Sequence, residues 1–112
     1  MSLELKKFLD TLEDKNINLF CCGPVTRYHV EVSYKSNDEE ILSKDYQLRL
    51  LGSSYNGVET ASDYVNNERY INFSFESLQD LKVFISEVLF NNYLINFITK
   101  GKKVIWRSFI KD

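Results

Sequence analysis

Few residues in this chain have the types and spacing for chemistry. A single histidine, His29, occurs in 112 residues, so any mechanism that needs an imidazole must use it. Arg27 and Glu31 stand two positions to either side of it, and two adjacent cysteines, Cys21 and Cys22, precede it. Brought beside His29, either cysteine would have a base to activate its thiol. In an alternating strand, however, Arg27, His29 and Glu31 share one face, and the ordinary fate of such a row is solvation. Asp38-Glu39-Glu40 supplies three carboxylates. Consecutive acids in a polar turn are too well hydrated for one to be held protonated at a set distance from another. The chain contains no GxSxG, HExxH, phosphate-loop lysine or dinucleotide fingerprint. Neighbouring cysteines lack the two-to-four-residue spacing of zinc ligand pairs, and a bond between them would close a strained ring. The sequence therefore assigns no catalytic residue, no metal and no cofactor, and a non-enzymatic role is expected.

Charge is the more informative pattern. The formal net charge is only −2, but it is unevenly spread. Between Ser36 and Glu68, seven acids (Asp38, Glu39, Glu40, Asp45, Glu59, Asp63 and Glu68) face two bases, Lys44 and Arg49. From Thr99 onward, Lys100, Lys102, Lys103, Arg107 and Lys111 face Asp112 alone. The acidic stretch argues against direct nucleic-acid binding, whose affinity comes mainly from phosphate contacts. Glu4, Lys6 and Lys7 interrupt the apolar run that a signal peptide needs, and no run approaches the roughly 20 apolar residues of a membrane span. A cytoplasmic protein with reduced cysteines and no membrane contact is expected.

These residues must be positioned by one core. The length suits a single domain spanning residues 1–112, and 44% apolar with 27% charged residues is a globular composition. Leu5, Phe8, Leu9 and Leu12 fall at helical spacing, predicting a helix over 3–14 with Ser2 as its cap and Asn16 as its stop. A short strand is expected over 17–22, closed by Gly23-Pro24. Tyr28, Val30, Val32 and Tyr34 alternate with polar partners in a half-buried strand, followed by a turn at Ser36-Asn37-Asp38. A partner strand is placed between Glu40 and Leu51, with Tyr46, Leu48 and Leu50 on one face. From Gly52 to Glu68 the pattern dissolves, leaving room for a helical turn near 60–65. Ile71, Phe73 and Phe75 alternate in another strand. Ser77 and Asp80 resemble a capping box ahead of Leu81, Phe84, Ile85 and Val88, with Asn91-Asn92 as the stop. The segments 93–98 and 104–110 form a hairpin around Gly101, in which Trp106 shares a face with Val104 and Ile110. An alternative carries the second helix on to Ile98.

The expected fold is thus α+β, a mostly antiparallel sheet with two amphipathic helices on one face, in the order α-β-β-β-β-α-β-β. This order resembles that of the small acidic α+β chaperones of bacterial secretion systems, which would imply a chaperone role. The charge layout favours a small stoichiometric protein-binding module, such as an immunity protein or anti-defence inhibitor, that neutralises a basic toxin or nuclease. Its expected contact residues are Asp38, Glu39, Glu40, Tyr55, Glu59, Asp63 and Tyr64, the tyrosines supplying the short-range grip. Two alternatives are a small enzyme or ligand-binding domain using His29, and a homodimer joined through sheet edges or the C-terminal hairpin.

Overall fold

The computed structural model describes residues 3–12, 27–36 and 41–108. The expected cap at Ser2, the strand over 17–22, the turn at Gly23-Pro24, the cysteine pair, the Asp38-Glu39-Glu40 run and Ile110 lie outside the described residues. Among the described residues there are three helices, α1 (Leu3–Thr11), α2 (Ile41–Ser54) and α3 (Leu78–Phe90), interspersed with five strands. The strands are β1 (Tyr28–Lys35), β2 (Val58–Val65), β3 (Glu68–Phe75), β4 (Leu94–Lys100) and β5 (Lys103–Arg107). They form one antiparallel sheet in the order β2-β3-β1-β4-β5. The α+β class holds, with a third helix where a strand was expected. The observed order, α-β-α-β-β-α-β-β, departs from the one that carried the resemblance to secretion chaperones.

One face of the sheet meets all three helices. Tyr28, Val30, Val32 and Tyr34 of β1 and Ile71, Phe73 and Phe75 of β3 are buried there. Leu5 and Leu9 of α1, Leu48 of α2, and Leu78, Leu81, Phe84, Ile85 and Val88 of α3 complete the same core. The rings of Phe73 and Phe75 lie 5.1 and 4.9 Å from that of Phe84, in tilted contact. The stripe expected on α1 packs as expected at Leu5 and Leu9, and its Phe8 and Leu12 are partly buried against the core.

Local chemistry sets the ends of α3 and the turns. Ser77 caps α3, its hydroxyl accepting from the Asp80 amide. At the other end, Asn92 takes the left-handed conformation (φ 66°), while the amides of Tyr93 and Asn92 reach the carbonyls of Val88 and Leu89. The chain then turns into β4, which excludes a helix continued to Ile98. The same closure recurs after α2. There Asn56 has φ 61°, and the Gly57 and Asn56 amides bond the carbonyls of Gly52 and Ser53. Asn66 and Asn67 (φ 53° and 62°) make a two-residue turn of the type that matches sheet twist, joining β2 to β3. Gly101 (φ 60°) sits in the β4–β5 turn, as its spacing suggested.

Two elements differ from expectation. The strand placed over Glu40–Leu51 is α2, so Leu48 turns into the core while Tyr46 and Leu50 turn out. The helical turn suggested near 60–65 is β2, whose residues are exposed apart from Tyr64. A third correction concerns β5. Its pairing with β4 shifts register between Ile98 and Thr99, so Trp106 opposes Ile98 on the helix side while Val104 opposes Thr99 on the outer face.

Candidate functional site

The described acids of the 36–68 stretch, Asp45, Glu59, Asp63 and Glu68, are dispersed by the fold. Asp45 is not a surface acid: it lies on the inner side of α2, with its side chain 8% exposed. Its carboxylate accepts a short hydrogen bond from the Tyr34 hydroxyl. It also accepts from Nε of Arg69 at 3.0 Å and from Nη2 at 2.9 Å. Arg69 opposes Tyr34 across the β1–β3 pair, which places the guanidinium on the helix side of the sheet. A buried charge needs a partner with matched geometry, and the fork of Arg69 provides it. Close by, the Tyr34 ring meets Tyr93 edge-on at 5.5 Å, and the ammonium of Lys44 lies 5.4 Å over it. The Tyr93 hydroxyl donates to Gln47 Oε1 at 2.9 Å and bonds the Lys44 carbonyl at 3.2 Å. Polar pins therefore join α2 to the sheet alongside the apolar contacts of Leu48 and Leu51.

Burial first, then the bond to Asp45, raises the Tyr34 phenol well above its ordinary value. Burial and the same carboxylate raise Tyr93. Both hydroxyls keep their protons in the folded protein at pH values where the unfolded chain releases them, so folding binds protons there. The contribution of these two phenols to stability should accordingly be level up to about pH 9 and fall above about pH 10. Urea titrations across that range test this, and Tyr34→Phe should flatten the alkaline slope.

Of the expected contact residues, Glu59, Asp63 and Tyr64 lie on β2 without sharing one face. Glu59 opposes Phe73 and lies on the helix side, where Arg49 of α2 holds its carboxylate at 2.6 Å. Asp63 opposes Tyr70 on the outer face and accepts from the Tyr64 amide at 2.8 Å. Among the described residues it has no ion-pair partner. Tyr64 opposes Arg69 on the helix side, and its hydroxyl bonds the Ser36 carbonyl and Asn67. Tyr55 packs partly against the core instead of standing free beside the acids. What unites Glu59, Asp63 and Tyr64 is the edge of the sheet: β2 is the outermost strand, paired among the described residues with β3 alone.

His29 lies on the outer sheet face, opposite Ser74 on β3 and Thr99 on β4. Beside it, both carboxylate oxygens of Glu31 are engaged, one by Asn96 at 3.0 Å and the other by Asn72 at 3.4 Å. Arg27 turns to Glu76 at 2.6 Å and to the Ser74 hydroxyl. Among the described residues no three of His, Cys, Asp and Glu converge as metal ligands would, and no helix is long and apolar enough to cross a membrane.

Among the described residues the fold is a two-layer α+β domain, five antiparallel strands under three helices, with β2 paired on one side only. No protein-family model, curated protein or solved structure matches the chain.

Two features escaped the sequence reading. The Asp45–Arg69 pair had one visible signal, because Arg69 has the same parity as Ile71, Phe73 and Phe75 and so had to point inward. The exposed apolar stripe of α2, Leu42, Tyr46 and Leu50 at i, i+4 and i+8, was hidden once that segment was read as a strand.

Proposed function

We propose that the chain is a small stoichiometric protein-binding module, in the manner of an immunity protein or anti-defence inhibitor, which neutralises a basic protein at the acidic margin formed by β2. The observation that carries this reading is the edge position of β2, exposed along nearly its whole length and bearing carboxylates on both faces. Glu59 is partly offset by Arg49, so Asp63 supplies the unopposed charge on the strand. Asp38, Glu39 and Glu40 add sequence-local charge just before α2. Such fields raise association rates and select partners of opposite sign.

The test is kinetic. A partner recovered from the source cell is measured against the wild type, the triple variant Asp38→Lys/Glu39→Lys/Glu40→Lys, and Asp63→Lys. Association at low salt should slow about tenfold in each variant, with a flatter salt dependence and a smaller change in dissociation. Association as fast as wild type in both variants would reduce these acids to solvated surface and end the proposal.

A further inference from the structure

We propose that the partner engages β2 by strand addition: an extended segment carrying lysine or arginine pairs along Val58–Val65 and continues the sheet as a sixth strand. This rests on the protein-binding reading above and specifies its mode of contact. The two edges of the sheet are guarded differently. At one end β5 is five residues long, carries Lys103 and Arg107, and is bulged where it pairs with β4. Cationic, short and bulged edges resist the addition of another strand. At the other end β2 runs for eight residues, VETASDYV, without lysine, arginine or proline. The two-residue turn at Asn66-Asn67 makes Val65 and Glu68 a hydrogen-bonded pair. Counting back by alternation, Ser62 presents its N–H and C=O away from β3, toward the side where no described residue pairs.

The guards on β2 are a register shift at Thr60, two carboxylates, and the bond by which Asp63 holds the outward Tyr64 amide, which leaves Ser62 as the central pairing residue. Those carboxylates decide the occupant. A second copy of this chain would bring its own Glu59 and Asp63 alongside these, and like charges on paired strands are destabilising. A cationic strand reverses the sign. Because Glu59 and Asp63 lie on opposite faces, either face of an added strand finds a carboxylate. On the helix side an apolar surface adjoins the edge. Leu42 and Tyr46 precede Arg49 by seven and three residues, on the flank of α2 from which Arg49 reaches Glu59, and they are 80% and 66% exposed. The fitting segment therefore alternates, with basic side chains toward Asp63 and apolar ones toward Leu42 and Tyr46.

The test uses an eight-residue alternating Lys/Val peptide and the same peptide N-methylated at every residue, which keeps the charge but cannot pair. Amide hydrogen exchange and resonance shifts are followed by NMR, with sedimentation in parallel. The unmodified peptide should slow exchange at Ser62 at least tenfold and shift residues 58–65, while the methylated one does neither. Equal effects from both peptides, lost together in Asp63→Lys, would overturn strand addition and leave the acidic-surface reading standing. Equal protection of Ser62 in wild type and Asp63→Lys would overturn the requirement for a basic strand. Absence of binding by either peptide overturns the proposal, as does a dimer in which Ser62 is already protected, which would assign the edge to a second copy.

Discussion

Asp45→Ala should destabilise the protein by about 3–5 kcal/mol, because it leaves the guanidinium of Arg69 buried without its counter-charge. Arg69 is 14% exposed at its side chain, so water cannot readily replace the lost carboxylate. The Tyr34 hydroxyl loses its bond to Asp45 in the same step. The mechanism is separable from simple loss of packing. A double variant, Asp45→Leu/Arg69→Met, removes both charges and should recover most of the loss, since an apolar pair of similar volume avoids the desolvation of both ions. Chemical denaturation of the two variants and wild type at pH 7 is the measurement. If the single variant is as stable as wild type, Asp45 is not the anchor of α2. If the double variant is no better than the single one, the cost lies in shape and not in charge.

Phe84→Ala should cost about 3–5 kcal/mol, a large share of the total stability of a domain this size. Phe84 is fully buried and touches the rings of both Phe73 and Phe75. Its removal opens a cavity between α3 and the sheet that the neighbours cannot easily fill. Phe73 is also confined from the α2 side, where Gly52 makes a close approach: a Cβ built at that glycine would lie 2.5 Å from its ring. The ring is held between two helices, so relaxation toward the void would separate it from α2. Phe84→Leu, which keeps most of the volume, should lose markedly less. A denaturation midpoint near wild type for Phe84→Ala would contradict this account of the core.

The parts of the fold that were legible in the sequence are those where one periodicity dominates. In β1, Tyr28, Val30, Val32 and Tyr34 alternate without interruption and are all buried. In α3, Leu81, Phe84, Ile85 and Val88 follow helical spacing behind a serine cap, and all four are buried. The segment from Ile41 to Ser54 offered no such signal. Its inner face includes Asp45 and Gly52, and its outer face carries Leu42, Tyr46 and Leu50, so apolar residues surround the helix. Tyr46, Leu48 and Leu50 then mimic a strand. The polar character of the inner face is a consequence of the ion pair with Arg69, whose partner lies 24 residues away in sequence. β2 failed for the opposite reason, since an edge strand exposed on both faces has no burial to impose alternation. For the candidate site, the sequence named Glu59, Asp63 and Tyr64, and the structure gathers these three on the edge strand β2. It did not show that Asp45, counted among the acids of that stretch, is buried, and it read Tyr55, which packs partly against the core, as a free aromatic.

The strand order carries a consequence for how the chain is made. Two of the sheet's pairings are local hairpins, β2 with β3 and β4 with β5. The strand between them, β1, is synthesised before either of its neighbours and pairs with both across long separations. Its apolar row must wait for β3 on one side and for β4, some 60 residues later, on the other. On a ribosome, Tyr28, Val30, Val32 and Tyr34 are therefore made well before the strands that cover their edges, and the interval before β4 emerges is when the nascent chain has most need of protection from aggregation.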